Sequence, residues 1–267
     1  MANYYWVGGT GTWNNSSSTN GAASSGGSGG AGVPTAPDDV FFDLNSGTGT
    51  CTIASTAAGN SVRIGTGCNV TLSLSGNVTL GLTIFHESST INLNDFSLTC
   101  AAYASNGSTS ARTLAFGTNG ILRISGNNGT IFSCTNHTGL TLTGSKNVIF
   151  TYTGSVGTRT ISAGNYATTT AADAFFLQIG PATDTVDVSS VAFDSLNFAV
   201  SGGFTGTLTS SGLRSFGTGI TFTSGMTISG ITGSISFRNT GSATFATNGK
   251  TVPVPLFMEG VGGTTSL

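Results

Sequence analysis

The 267-residue sequence predicts an all-β chain, a single-stranded, right-handed parallel β-helix, on three observations. Apolar residues alternate with Thr, Ser and Asn in short runs. Turn signals separate the runs. Leucines recur at an interval of 21 residues. Period-two alternation is the mark of a strand with one buried face. A repeat of a few tens of residues marks stacked units that cannot bury their apolar face alone.

The elements follow in order along the chain. Val70, Leu72 and Leu74 alternate with Thr71 and Ser73, and Val78, Leu80, Leu82 and Ile84 continue the pattern. Ile91 and Leu93 lie among Asn92 and Asn94. Leu140 and Leu142, then Val148, Phe150 and Tyr152, repeat it. Val186 and Val188, Ile220 and Phe222, Met226 and Ile228, and Ile235 and Phe237 extend it towards the C-terminus. Ser75-Gly76-Asn77, Asn119-Gly120, Gly126-Asn127-Asn128-Gly129 and Thr143-Gly144-Ser145 are the intervening turns. Leu72, Leu93 and Leu114 are expected to stack in neighbouring coils about 4.8 Å apart. The competing architecture is an antiparallel β-sandwich, which needs short strands but no regular spacing.

Composition bounds the function. Only 7% of residues are charged, while 37% are hydrophobic, including 17 Phe. The chain is therefore a folded one that uses hydroxyls and amides where most proteins use charges. The net charge is −2 and the eight basic residues are scattered, so no nucleic-acid footprint is present. No apolar run reaches the roughly 18 residues of a membrane span. The N-terminus lacks the basic and apolar regions of a signal peptide, so synthesis in a cytoplasm is expected. Cys51, Cys68, Cys100 and Cys134 show no metal-finger or C-x-x-C spacing and are read as free thiols at inward positions.

Residues 1–39 differ from the rest. Trp6 and Trp13 bracket a Gly/Thr stretch, a Ser/Gly/Asn tract runs from Asn14 to Gly32, and Pro34 and Pro37 close it. Both tryptophans of the chain lie here. The organisation expected is an attachment or capping segment (1–39), a β-helix body (40–250) and a C-terminal cap or tail (251–267). Tyr4, Tyr5, Trp6 and Trp13 are the expected partner-binding residues, because aromatics anchor interfaces and also cap cores.

Tyr4-Tyr5-Trp6-Val7-Gly8-Gly9-Thr10-Gly11-Thr12-Trp13 and Val33-Pro34-Thr35-Ala36-Pro37-Asp38-Asp39-Val40-Phe41-Phe42-Asp43 resemble the N-termini of structural proteins of marine and aquatic tailed-phage virions. Phe204-Thr-Gly-Thr-Leu208, Gly225-Met226-Thr227 and the stretch 249–263 resemble the same group. The resemblance implies a place in a virion and no mechanism. The function expected is a non-enzymatic, capsid-decorating or cement protein, homotrimeric, with the major capsid protein or tail components as partners. The alternative is a tail fibre or spike that binds a host glycan, marked by an aromatic-lined groove with two convergent carboxylates.

No catalytic residue, cofactor or metal is expected. The densest acidic set, Asp173, Asp184, Asp187 and Asp194, reads as turn and surface acids, with Asp184 and Asp187 on opposite faces of a strand. Asp38, Asp39 and Asp43 could collect a Ca²⁺ ion but lack the alternating Asp-x-Asp loop. His86 and His137 read as structural. Gly8-Gly9-Thr10-Gly11 lacks the spacing and the Lys of a phosphate loop.

Overall fold

A computed structural model describes residues 2–16, 19–106, 109–164, 170–188, 193–238, 241–259 and 265–266. The chain is a parallel β-solenoid. Among the described residues there is no α-helix, and Leu44–Ser46 forms one 3₁₀ turn. It divides into two compact units, residues 1–123 with 138–146, and residues 124–137 with 147–267.

The first unit winds through three sheets. One runs Gly21–Ala22, Asn3–Trp6, Asp39–Phe42, Val62–Ile64, Thr83–His86 and Ala102–Ala104. A second runs Gly11–Trp13, Thr48–Ile53, Asn69–Leu74, Ser89–Asn92, Arg112–Ala115 and Leu140–Thr143. Val78–Thr79 and Ser97–Cys100 belong to the third. These neighbours pair in parallel, apart from the antiparallel Gly21–Ala22, so the sandwich alternative is excluded.

The inward ladder of the second sheet corrects the predicted register. Cys51, Leu72, Ile91, Leu114 and Leu142 are successive partners. Leu93 is not among them. It stands two residues beyond Ile91, level with Leu74 and Phe116, because the coils differ in length and the corners absorb the difference. Asn94 and Asp95 take positive φ at one such corner, and the Asn94 amide bonds Leu74 O. Leu93 is nevertheless fully buried. Leu93→Ala is expected to cost about 2–5 kcal/mol, read as a fall in the urea midpoint.

The 39/40 boundary expected from composition is no break in the fold. Asn3–Trp6 pairs with Asp39–Phe42, and Gly11–Trp13 pairs with Thr48–Ile53. Residues 3–13 are thus a first coil. The glycines permit its close approach: Gly9 has φ 71, and a Cβ there would lie 1.9 Å from Thr48 O. Gly21–Ala22 then covers the open edge of Asn3–Trp6, with Tyr5 opposite Ala22. Capping this edge removes an unpaired row of backbone donors and acceptors.

The second unit has two sheets. Gly129–Cys134, Thr158–Ala163, Thr185–Asp187, Thr207–Thr209 and Thr227–Ile228 form one. Asn147–Phe150, Phe176–Ile179, Phe193–Val200 and Leu213–Thr221 lead the other. Leu213–Thr221 is long enough to carry two partners, Ile235–Phe237 and Ala243–Ala246. These carry Leu256–Met258 and Thr265–Ser266 respectively, so the expected tail at 251–267 continues the sheet. Residues 260–264 and 267 lie outside the described residues.

Candidate functional site

The tryptophans of the N-terminus are core residues. Trp6 and Trp13 are 4% and 1% exposed, and both pack near Phe42, with centroids at 5.6 and 6.2 Å. The Trp6 indole donates to Gly9 O at 2.7 Å. They cannot insert into a partner without unfolding the first coil, which corrects the expected anchoring role. Tyr4 is half-buried and its hydroxyl donates to Ala31 O. Tyr5 points outward and stacks on Phe41 at 4.8 Å.

Tyr5 opens an outward row that alternation within one strand does not reveal. Alternation puts Val40 and Phe42, Val62 and Ile64, and Ile84 and His86 inside. Their neighbours must then face outward. Phe41, Arg63 and Phe85 are successive register partners on that outer face. One step along each strand come Asp43, Gly65 and Glu87, held in line by Gly65 N donating to Phe42 O and Glu87 N to Ile64 O. The result is a grid of three coils by two positions, with an aromatic, a cation and an aromatic beside an acid, a glycine and an acid.

The missing side chain at Gly65 makes a groove of about 180 Å³, lined by these six residues with Phe42 and Ile64 beneath. The Arg63 guanidinium lies 4.0 Å over the Phe85 ring, a cation–π contact that holds it extended. Asp43 accepts from Asn45 N as the cap of the 3₁₀ turn. Among the described residues neither the Arg63 donors nor the Glu87 carboxylate has a hydrogen-bond partner or ion pair. The signal available in sequence was Val40-Phe41-Phe42, since two adjacent Phe in a strand cannot both be inside.

The same alternation puts a histidine in the interior. His86 is fully buried while Phe85 faces out. The His86 imidazole and the Tyr103 hydroxyl bond each other at 2.8 Å. Burial drives the His86 pKa down to about 4, so it is neutral.

The acidic set of the second unit does not converge. Asp184 is buried against Arg159, Oδ2 to Nε at 2.5 Å and Oδ1 to Nη2 at 2.7 Å. Asp187 accepts from the Thr209 hydroxyl at 3.1 Å. Asp173 lies 3.2 Å from His137, out of line for a hydrogen bond, so the contact is an ion pair. Burial pulls His137 down, but Asp173 and Cys134 outweigh it and raise it to about 10. Burial pushes Asp173 up, and His137 outweighs that and leaves it below the usual range. The side chain of Asp194 lies outside the described residues.

The two histidines give opposite pH dependences. His86 has a folded value below its unfolded 6.5, so its neutral state supports the fold above pH 6.5 and the support is lost as pH falls to about 4. His137 has a folded value above 6.5, so its contribution is complete below pH 6.5 and fades as pH rises to about 10. Stability measured by urea unfolding is expected to fall on both sides of neutrality. His86→Asn is expected to flatten the acid side and Asp173→Asn the alkaline side.

Asp38 and Asp39 are occupied internally. Asp38 accepts from Ala2 N, Thr35 N and the Thr35 hydroxyl, and the Thr35 hydroxyl leads in holding its carboxyl below the usual range. Asp39 accepts from Ser61 N and the Asn60 amide. Among the described residues no group of three or more His, Cys, Asp or Glu is placed to hold a metal ion. The four cysteines are buried free thiols, and burial pushes Cys51, Cys68 and Cys100 up, keeping them protonated. Comparison with protein-family models, curated proteins and solved structures finds no match.

Proposed function

We propose that this chain is a non-enzymatic structural protein on the surface of a tailed-phage virion. The N-terminal resemblance suggests the virion, and the fold is compatible with it. The observation that carries a structural role is how the carboxylates are used. Asp38, Asp39, Asp173 and Asp184 are each engaged in holding turns or loops of the solenoid. None of these four is presented with a second acid across a cleft, as hydrolysis of a glycoside requires. On this reading the chain decorates a capsid as a homotrimer, with the major capsid protein or tail components as its neighbours.

A second reading, a tail fibre or spike that binds host glycan, is favoured by the groove over Gly65. Its lining of Phe41, Phe85, Arg63, Asp43 and Glu87 is of the kind that would mark such a protein. Gold-labelled antibody on intact particles tests both. Label over the head supports decoration, label at the tail supports the fibre, and particles without label overturn the virion proposal. Light scattering tests the assembly, with a mass near three times the 26.6 kDa chain expected.

A further inference from the structure

We infer that the groove over Gly65 binds one neutral pyranose ring of a glycan. The inference deepens the second reading above and uses the geometry of the groove.

Size comes first. A volume of about 180 Å³ corresponds to roughly six waters, enough for one ring and too little for a drug-sized ligand. The chemistry of the walls follows. Phe41 stacks on Tyr5 and also lines the groove. An aromatic face is the negative end of a quadrupole, and it accepts the weakly positive C–H face of a sugar. Arg63 offers a planar fork of donors already held over Phe85, so little side-chain freedom is lost on binding. Glu87 offers unoccupied acceptors. Asp43 and Glu87 stand two coils apart, about 10 Å between backbones, on either side of the glycine floor. Donors on one edge and acceptors at both ends suit a ring with hydroxyls around its rim.

Charge selects among glycans. The groove carries two carboxylates and one guanidinium, a net single negative charge. An anionic sugar would meet Asp43 and Glu87 at close range, which disfavours uronic acids. A cationic side chain of a partner protein would meet Arg63, which is held in the groove by Phe85.

Gly65 supplies a clean test. Its φ is not in the left-handed region, and a Cβ there would meet only Phe42 O, at 3.7 Å. Gly65→Val should therefore fold and fill the groove floor. The experiment is saturation-transfer NMR of the full chain with the methyl glycosides of glucose, galactose and mannose. Methyl glucuronide and Nα-acetyl-lysine amide serve as the charged comparisons. Transfer to at least one neutral glycoside is expected, with at least a tenfold loss of affinity in Gly65→Val and in Arg63→Ala. Melting temperatures of both variants within a few degrees of the parent show that the fold is retained. Absence of transfer to every neutral glycoside, or transfer undiminished in both variants, overturns the inference. Stronger transfer to the glucuronide or to the lysine amide also overturns it, in favour of an anionic glycan or a basic protein partner. These outcomes are independent of where antibody labels the particle, so failure here and failure of the virion proposal are distinguishable.

Discussion

Trp13→Ala is expected to destabilise the first unit by about 3–5 kcal/mol, the range for a large buried aromatic. Trp13 is 1% exposed and closes the end of the solenoid over Phe42. Its strand, Gly11–Trp13, is the outermost of the second sheet, and Trp13 pairs with Ile53. The alanine leaves a cavity at the outermost coil. Deleting residues 1–32 should do more, because it strips the whole first coil and the covering strand Gly21–Ala22. Phe42, Cys51 and Ile53 would then face water. Of the two roles expected for residues 1–39, attachment and capping, the pairing of Asn3–Trp6 and Gly11–Trp13 with the next coil favours the cap. Calorimetry of the full chain, Trp13→Ala and the truncation decides. A melting temperature lowered by about 10 °C in Trp13→Ala is expected. An unchanged value would mean that the first coil is dispensable.

The second large effect is at Asp184. Asp184→Asn should cost about 3–5 kcal/mol, because it leaves Arg159 charged, buried and unpaired. Both side chains are fully buried, and Arg159 Nη1 already lacks a partner, so no alternative acceptor is at hand. Asp187→Asn, on a residue bonded only partly in the interior, should stay within about 0.5 kcal/mol. A joint Asp184→Asn, Asp187→Asn variant is thus a poor probe of catalysis, since loss of infectivity would report misfolding. Arg159→Met with Asp184→Leu should restore most of the lost stability, as apolar replacement of a buried pair is often neutral or better. Urea midpoints of the three variants measure this. Equal midpoints for Asp184→Asn and the parent would show that the pair contributes nothing.

The sequence by itself determined the class and the alternation. Period-two runs such as Asn69–Leu74 state which side chains face inward, because a strand turns successive residues to opposite faces. That the units stack in parallel was legible from repetition, since repeats of this length bury their apolar faces only against each other. Tertiary structure decided the register. Coil lengths vary, so equal spacing in sequence placed Leu93 with Leu72 and Leu114 where Ile91 stands. It also decided the role of the N-terminus. A glycine-rich stretch reads as an attachment or capping segment until a neighbouring strand approaches within the space a Cβ would fill, as Thr48 does at Gly9. The groove was hidden for the same reason. Phe41, Arg63 and Phe85 are 22 residues apart in sequence and become neighbours only when three coils are laid side by side. Local alternation fixes which face a residue takes, whereas the lengths of the corners fix which residues share it.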